Sequence, residues 1–320
     1  MLQLQAWSTL QGLVDQFDRY LDRTYPDFFG STPKHPFTTI KPYKVIHDSL
    51  WGTNRFSWRE LAIMDSPLLQ RLRGIQQTGL AHYLYPCARH SRFEHSLGVT
   101  TVASRAFDAV AQRHLRDIET IANNLKIEKP ADLISQLREE LRLAALLHDV
   151  GHSIYSHASE QVYQHLPLME QAAKELHTFV GKRKGAGEVM SFCFARTQAV
   201  QRLLAKAYDR LSERDKRNVQ PIDFDNVSLL IVGRSKHPFF QFMADIISSD
   251  LDADKLDYLL RDAAAAGLPL RYDLERYLYL VGNSQGGYTG RGGTSRTTLQ
   301  EHWQPCSKAK SQCGNAIPVF

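Results

Sequence analysis

The chain has 320 residues, of which 43% are hydrophobic and 23% are charged, and its formal net charge is +5. This composition is typical of a globular protein with a sizeable core. The mild positive charge is compatible with a polyanionic substrate, but it does not by itself indicate a nucleic-acid partner. No apolar run approaches the roughly 18 residues of a membrane span, so no membrane partner is expected.

The N-terminus and the cysteines both favour a cytoplasmic protein. The first residues, MLQLQAWSTLQGLVDQ, lack the basic start and the apolar stretch of a signal peptide. The four cysteines are widely spaced and form no CxxC pair, so we interpret them as free thiols in a reducing compartment. They are Cys87, Cys193, Cys306 and Cys313.

Helical periodicity runs through most of the chain and predicts a mostly α fold. Residues 3–22 carry apolar side chains at helical spacing, and a proline-rich connector follows over about 26–42. The segment SPLLQRLRGIQQTG, with Pro67 in its first turn, is predicted to be helical, and another helix is predicted from about residue 93 to 116. Strand-like alternation is scarce throughout.

The segment ADLISQLREELRLAALLHD (131–149) predicts a strong helix. It is amphipathic first and almost wholly apolar at AALL, so its C-terminal end should enter the core. Further helices are predicted near 168–182, 187–212 and 223–233, with one or two more over 237–268. We interpret the basic loop GKRKGAG (181–187) as a solvated connector.

The last forty residues differ in composition from the rest. They are rich in Gly, Ser and Thr and show no helical period, so an irregular or disordered tail is expected. The abrupt change could also mark a truncated or frameshifted end. The predicted organisation is an N-terminal helix and connector over 1–43, a main domain over 44–282 and an irregular tail over 283–320.

Ionisable side chains gather where the apolar helix ends, in LLHDVGHSIYSH (146–157). His148 and Asp149 are adjacent, about 100° apart on a helix, so both can reach one divalent ion. His95 in HSRFEHSLGV and Asp254 in DLDADKLDYLLRD would complete a His2Asp2 site with open positions. Each of these residues, taken alone, could instead be a satisfied core or capping residue.

The three motifs, in this order, resemble the HD-domain phosphohydrolases. More narrowly, they are similar to the deoxynucleoside triphosphate triphosphohydrolases, which include the vertebrate SAM-and-HD-domain enzyme. The resemblance runs from about Lys44 to Gly267. It implies an all-α HD-domain helical bundle over 44–282 with a metal site in its core. The implied cofactor is a Mn, Fe, Zn, Ni or Mg ion, bound by His95, His148, Asp149 and Asp254.

The resemblance also implies a reaction, which is metal-dependent hydrolysis of a deoxynucleoside triphosphate (dNTP) at its α-phosphate. The products would be deoxynucleoside and inorganic triphosphate. His152 would face the α-phosphate, His157 would protonate the leaving 5′-oxygen, and Glu160 would orient His157. His177 fits a second active-site histidine. Each of these histidines could instead be structural.

Substrate contacts are implied by the same resemblance. Arg92, Lys255 and Tyr258 match residues that hold the triphosphate, and Gln77 and Asp262 match residues that bind the sugar 3′-hydroxyl. Tyr258 beneath the sugar would disfavour a 2′-hydroxyl. Without the family, the segment around Gln77 is an amphipathic helix with a solvated basic face.

A regulatory site is the last feature that the resemblance implies. Some members of the family are activated by nucleotides bound between subunits. Part of such a site is matched by Lys44, Val45, Asp65, Gln70 and Arg73. A nucleotide activator and a homo-oligomer are therefore expected partners.

Two alternatives to the triphosphohydrolase remain open. One keeps the HD chemistry but changes the substrate to a monophosphate, a cyclic nucleotide or a nucleic-acid end. The other is a weakly catalytic nucleotide sensor or single-stranded nucleic-acid binder, motivated by the positive charge and the KRK loop. A pure binder would need neither the four metal ligands nor the nearby histidines.

Overall fold

The computed structural model describes residues 7–30, 40–124, 126–127, 129–217 and 219–282. The predicted tail over 283–320 lies outside the described residues, and so do the N-terminal six residues, most of the proline-rich connector and two of the cysteines. Within the described part the fold is mostly α, as predicted, with one two-stranded sheet. No helix in this part combines the length and the hydropathy needed to cross a membrane.

The first part of the chain contains two helices, a hairpin and two further short helices. They are α1 (Ser8–Thr24), α2 (Pro26–Phe29), β1 (Tyr43–Asp48), β2 (Gly52–Ser57), α3 (Trp58–Met64) and α4 (Pro67–Gln70). Helix α1 packs against α9, α10 and α11 of the main body, defined below.

The remaining helices form the main body of the molecule. They are α5 (Arg92–Arg113), α6 (Leu115–Asn124), α7 (Pro130–Leu147), α8 (His157–Tyr163), α9 (Pro167–Val180), α10 (Ala186–Arg196), α11 (Gln198–Asp209), α12 (Glu213–Lys216), α13 (Phe224–Ile231), α14 (Gln241–Ile247), α15 (Ala253–Ala266) and α16 (Leu274–Gly282).

Helices α5 and α7 lie at the centre of the fold. Helix α5 packs against α7, α14, α15 and α16, and α7 also contacts α6 and α13. The last seven residues of α7, 141–147, are all buried, which agrees with the wholly apolar end that the sequence predicts. Burying such a run gives a large hydrophobic stabilisation, on the order of 2 kcal/mol for each fully buried leucine. This end of α7 therefore forms a rigid base for the residues that follow it.

The hairpin is the element that the sequence analysis missed. Strands β1 and β2 pair antiparallel, from Tyr43 opposite Ser57 to Asp48 opposite Gly52. Most of their side chains are exposed or half-buried, so the pattern lacks the apolar alternation by which a strand is recognised. The Asp48 carboxylate accepts hydrogen bonds from the backbone N–H groups of Leu50 and Trp51, which shapes the turn.

Two predicted helices are shorter than expected. The segment after Pro67 gives only the short α4 and a 3₁₀ turn over Arg71–Gly74, because Arg71 is tied to the backbone of residues 150 and 152. The predicted helix over 187–212 is divided into α10 and α11 at Thr197. The hydroxyl of Thr197 caps α11 by accepting from the Val200 N–H, which ends one helix and begins the next.

Candidate active site

The first candidate ligands follow directly from the end of helix α7. His148 is the C-terminal capping residue, and its Nδ1 donates to the Ala145 carbonyl at 2.6 Å. The chain then turns, with the Val150 N–H bonded to the Leu147 carbonyl. Because Nδ1 carries the proton, the lone pair of His148 is on Nε2, the atom that faces the rest of the cluster.

His95 reaches the same place from the second turn of α5. That helix begins with a capping box, in which the Ser91 N–H donates to the Glu94 carboxylate at 2.7 Å. His95 is fully buried, and its Nδ1 donates to Asp257 Oδ2 at 2.8 Å. In the neutral form of His95 the lone pair is therefore also on Nε2.

Helix α15 supplies Asp254 in its first turn. Asp254 Oδ1 lies 2.9 Å from His95 Nε2 and 3.9 Å from His148 Nε2. One ligand atom from each of these three residues lies within 4.8 Å of the other two. The close approach of α15 to α5 depends on Gly98, where a Cβ atom would be 1.9 Å from Asp257 Oδ1.

Asp149 borders the cluster but is already paired with an arginine. Its Oδ1 lies 3.4 Å from His148 Nε2, and its Oδ2 lies 3.8 Å from His95 Nε2 and accepts from Arg92 at 2.5 Å. Burial opposes ionisation of this carboxyl, but the charge of Arg92 and the adjacent imidazoles of His148 and His152 hold its pKa well below its usual range. All four predicted ligands are thus brought together, with Asp149 shared between the cluster and Arg92.

The donor set fits a divalent metal ion. The Nε2 atom of His148 is buried and makes no hydrogen bond with any described residue, and the Nε2 atom of His95 faces the Asp254 carboxylate. A buried polar atom without a partner is costly, and two imidazoles that converge beside two carboxylates would satisfy it by binding a cation. Imidazole nitrogens with carboxylate oxygens suit Zn, Mn, Fe or Ni. The cluster can hold such an ion.

His152 and Glu160 form a second pair beside the cluster. The helix does not continue to His152, which lies in the loop between α7 and α8. Its Nε2 lies 3.1 Å from Asp149 Oδ1, and its Nδ1 contacts the carboxylate of Glu160. Burial disfavours the imidazolium, but Asp149 and Glu160 raise the pKa of His152 to about 9. We expected Glu160 to orient His157, and within the described side chains it holds His152.

Of the two remaining predicted catalytic histidines, only His177 has a described side chain. The side chain of His157 lies outside the described residues, although its backbone begins α8. His177 is exposed in the last turn of α9, and it does not line the cavity described below. The part of the chain after α9 that does line this cavity contributes Lys182, Gly185 and Glu188.

The predicted substrate residues occupy two places. Arg92 is buried and also donates to the Ser156 hydroxyl, while Lys255 donates to Asp252 at 3.0 Å and to the Ser249 carbonyl at 2.8 Å. Asp262 lies apart from these and accepts from His90 Nε2 at 2.6 Å.

The backbone of Gln77 is bonded to that same histidine, through its N–H and the His90 carbonyl. The Gln77 side-chain oxygen is buried and makes no hydrogen bond with any described residue. Tyr258 is half-buried on α15, and burial raises its pKa.

An open cavity of about 410 Å³ adjoins the cluster. It is lined by the cluster side of the site, by the loop before α10 and by the segment before α15. Its lining residues are His148, Asp149, His152, Glu160, Lys182, Gly185, Glu188, Ile231, Ile247, Ser248, Ser249, Asp250, Asp252, Asp254 and Lys255.

The predicted regulatory residues share a different cavity. Lys44, Val45, Asp65, Gln70 and Arg73 all line a cavity of about 470 Å³ between the hairpin and the start of α5. The Arg73 guanidinium stacks 3.7 Å from the centre of the Phe93 ring and donates to Gln70 at 2.9 Å.

Several residues of the site were missed from the sequence. Asp257 receives hydrogen bonds from His95, from both Nε and Nη2 of Arg261, and from the Trp51 indole. The ion pair between Asp257 and Arg261 could have been predicted, because the two residues are four positions apart on a helix. Trp51 and His90 lie in a turn and a loop, where no periodicity points to them.

Comparison with known proteins agrees with this geometry. Residues 92–188, which include His95, His148 and Asp149, match the HD domain family. The chain carries an HD domain. Among its relatives is the deoxynucleoside triphosphate triphosphohydrolase SAMHD1 of Bos taurus, which is 31% identical over 247 residues, 73% of this chain and 38% of the bovine protein.

Two further relatives extend the comparison. The SAMHD1 homologue of Dictyostelium discoideum is 28% identical over 76% of this chain and 40% of its own length. An uncharacterised protein of Methanocaldococcus jannaschii is 29% identical over 70% of this chain and 34% of its own. The chain thus spans two-fifths or less of the length of each of these three relatives. The matches confirm the resemblance to the HD-domain triphosphohydrolases.

Proposed function

We propose that this chain is a metal-dependent phosphohydrolase that cleaves dNTPs at the α-phosphate, releasing deoxynucleoside and inorganic triphosphate. The observation that carries the proposal is the convergence of the buried Nε2 atoms of His95 and His148 with the Asp254 carboxylate, all within 4.8 Å of one another. This cluster opens into a cavity whose lining also includes Lys182 and Lys255. A divalent metal bound there would lower the pKa of water and neutralise phosphate charge.

The chain's own cations would bind the phosphates. Arg92 has a fork of donors beside the cluster, of which Nε is buried without a partner among the described residues. With a cation bound in the cluster, Asp149 would be shared between that cation and Arg92, and Arg92 could direct its other donors to a phosphate oxygen. Lys255 and Tyr258, one turn apart on α15, would add a charge and a hydroxyl donor.

His152 would act as a cation rather than a base. Burial opposes its protonation, but Asp149 and Glu160 raise its pKa to about 9, which favours the imidazolium at neutral pH. A protonated imidazole at this position can stabilise the charge that develops on the α-phosphate oxygens. We further propose His157 as the acid that protonates the leaving 5′-oxygen. His177, whose side chain is exposed here, is proposed as a second catalytic histidine of the substrate-loaded enzyme.

The sugar would bind at the other end of the site. Gln77 has a buried side-chain oxygen without a hydrogen bond among the described residues, and Asp262 carries a carboxylate bound to His90. Both are groups that can recognise a 3′-hydroxyl.

A nucleotide activator is proposed for the cavity beside the hairpin. Its lining combines Lys44 and Arg73, which can bind phosphate, with Asp65 and Gln70, which can bind a base or sugar. A site between subunits would also require a homo-oligomer. The proposal predicts that added nucleoside triphosphates raise the dNTPase rate of wild type but not of Arg73→Ala.

The test compares wild type with two matched carboxylate variants. Asp254→Asn removes a candidate metal ligand, and Asp250→Asn removes a carboxylate that lines the same cavity outside the cluster. Each protein is incubated with a dNTP mixture, with Mn²⁺ or with EDTA, and the products are separated chromatographically. We expect deoxynucleoside and triphosphate from wild type and Asp250→Asn with metal, and none from Asp254→Asn.

Other substrates define the alternatives. If dNTPs persist while a monophosphate, a cyclic nucleotide or a nucleic-acid end is hydrolysed, the chain is an HD phosphohydrolase of different specificity. If no phosphate ester is cleaved but nucleotide or single-stranded nucleic acid binds with a steep salt dependence, the chain is a binder.

A further inference from the structure

The basic loop between α9 and α10 is part of the cavity wall and not the solvated connector that its sequence indicates. Lys182 and Gly185 line the cavity beside the cluster, together with Glu188 of α10. We infer that Lys182 is a phosphate-binding residue that contacts the polyphosphate of the substrate in this cavity. This inference rests on the proposed function and names a residue of that same site.

Lys184 holds the loop in place. Its side chain is buried, and its Nζ donates to Glu188 Oε1 at 2.8 Å and to the Ser248 hydroxyl at 2.7 Å. These two bonds tie the loop to α10 on one side and to the segment before α15 on the other. These bonds fix the loop beside the cavity, and Lys182, two residues before Lys184, is among the residues that line the cavity.

The lysines around the cavity differ in whether their ammonium group is paired with a carboxylate. Lys184 is neutralised by Glu188, and Lys255 is bound to Asp252 at 3.0 Å. Lys182 is exposed and makes no ion pair or hydrogen bond with the residues that the structure describes. Its charge therefore remains available to a ligand, whereas the other two must first exchange a carboxylate partner.

The carboxylates near the cavity make such a cation necessary. Glu188 and Asp252 line the cavity with Asp250, and a polyanion that enters meets their field. Burial raises the pKa of Asp245 on α14, and the charge of Lys182 opposes that effect, which agrees with a lysine on this side of the fold. A mobile cation at the rim can offset the repulsion and steer the phosphates inwards.

Arg183 provides a matched control. It is the next residue on the same loop, it is exposed, and it carries the same charge, but it does not line the cavity. The variants are Lys182→Gln, Lys182→Arg and Arg183→Gln. Comparing them separates a contact in the cavity from the general charge of the loop.

The experiment measures two quantities on the full chain. One is the affinity of inorganic tripolyphosphate for the Mn²⁺-loaded protein, by calorimetry, and the other is KM and kcat for a dNTP. We expect Lys182→Gln to weaken tripolyphosphate binding and raise KM about five- to tenfold with little change in kcat, since an exposed charge contact contributes about 1 kcal/mol. Lys182→Arg should retain most of the affinity, and Arg183→Gln should match wild type.

The outcomes distinguish this inference from the proposed function. Equal tripolyphosphate affinity for wild type and Lys182→Gln overturns the inference, even if dNTPs are hydrolysed. Equal losses in Lys182→Gln and Arg183→Gln also overturn it, because they reveal only non-specific attraction. If dNTPs are not cleaved but tripolyphosphate binds in a Lys182-dependent way, the phosphate site stands and the triphosphohydrolase proposal fails.

Discussion

Nδ1 of His95 donates a hydrogen bond to Asp257 Oδ2 at 2.8 Å, between two side chains that are both fully buried. This bond fixes the imidazole tautomer and directs Nε2 towards His148 and Asp254. Asp257 is itself held by Arg261 and Trp51, so the ring has little freedom to rotate. A ligand that is oriented in advance binds a metal with a smaller loss of conformational entropy.

Replacing Asp257 should therefore weaken metal binding. We expect Asp257→Asn to lower Mn²⁺ affinity roughly 10- to 100-fold, because the amide no longer fixes the His95 tautomer. Calorimetric titration of the metal-free protein gives the affinity. Asp48→Asn is the control, since Asp48 also contacts Arg261, at 2.9 Å, but not His95. Equal affinities for wild type and Asp257→Asn would contradict this role.

The start of α10 should not tolerate a side chain at Gly187. A Cβ there would lie 2.7 Å from His152 Cε1 and 2.9 Å from Glu160 Oε1. Gly187→Ala should therefore destabilise the fold by about 1–3 kcal/mol and displace His152, although alanine is the better helix former. Denaturant unfolding measures the change. Gly185→Ala serves as the control, because its Cβ would lie 3.6 Å from the nearest atom; a stabilised Gly187→Ala would refute the packing argument.

The buried ion pair between Arg142 and Glu60 should matter far more than an exposed one. Arg142 Nε donates to Glu60 Oε1 at 2.7 Å, and both side chains are less than 10% exposed. Glu60→Ala should lower the free energy of unfolding by about 3–5 kcal/mol, because it leaves a buried guanidinium unpaired. The pair of Arg105 and Glu275 is exposed and 3.7 Å apart, so Glu275→Ala should cost at most about 1 kcal/mol. Comparable losses for the two variants in urea would contradict the distinction.

Metal binding should release protons near neutral pH. Burial would lower the pKa of His95, but its hydrogen bonds to Asp254 and Asp257 raise it to about 10, so the metal-free imidazole is charged at neutral pH. A metal ion has to displace that proton, so its affinity should rise as the pH increases towards 10. Titrations in buffers of different ionisation enthalpy should give about one released proton per ion. A value of zero would show that His95 does not bind through Nε2.

The two described cysteines should react very differently with alkylating agents. Cys87 is exposed, whereas burial raises the pKa of the Cys193 thiol to about 12. At pH 8, iodoacetamide should label Cys87 in the native protein and Cys193 only after unfolding, as read peptide by peptide in a mass spectrometer. The buried thiol also stabilises the fold below its usual pKa of 9.0, and this stability is lost as the pH rises towards 12. Rapid native labelling of Cys193 would mean that α10 opens.

Some features of the site could be anticipated from the residues alone. His148 and Asp149 directly follow the apolar end of a helix. This is visible in the segment AALLHD, because the burial of an apolar helix end can be predicted from its own residues. Gly282 is the last described residue of α16, so the predicted end of helical periodicity there stays a prediction. The assignment of His95 and Asp254 to the same centre depended on the family resemblance, since no local rule joins residues 159 positions apart.

Contacts between distant segments decided the rest. The sequence of the loop over 181–187 is basic and rich in glycine, which is typical of a solvated connector, yet Lys184 is buried because Glu188 and Ser248 satisfy it. The prediction that this loop is only a connector was therefore wrong. Likewise, the helix predicted after Pro67 ends early because Arg71 binds carbonyls some 80 residues away.

The sequence by itself determined the helical character of the chain and the residue types available to a metal. Periodicity and composition are properties of one or two helical turns, and they are sufficient to predict helices and to identify possible metal ligands. Only the tertiary structure decided which imidazole nitrogens carry lone pairs, that Glu160 contacts His152, and that Lys182 borders the cavity. Each of these depends on a hydrogen-bond partner or a packing neighbour from another element, and the position of that partner is set only when the helices pack together.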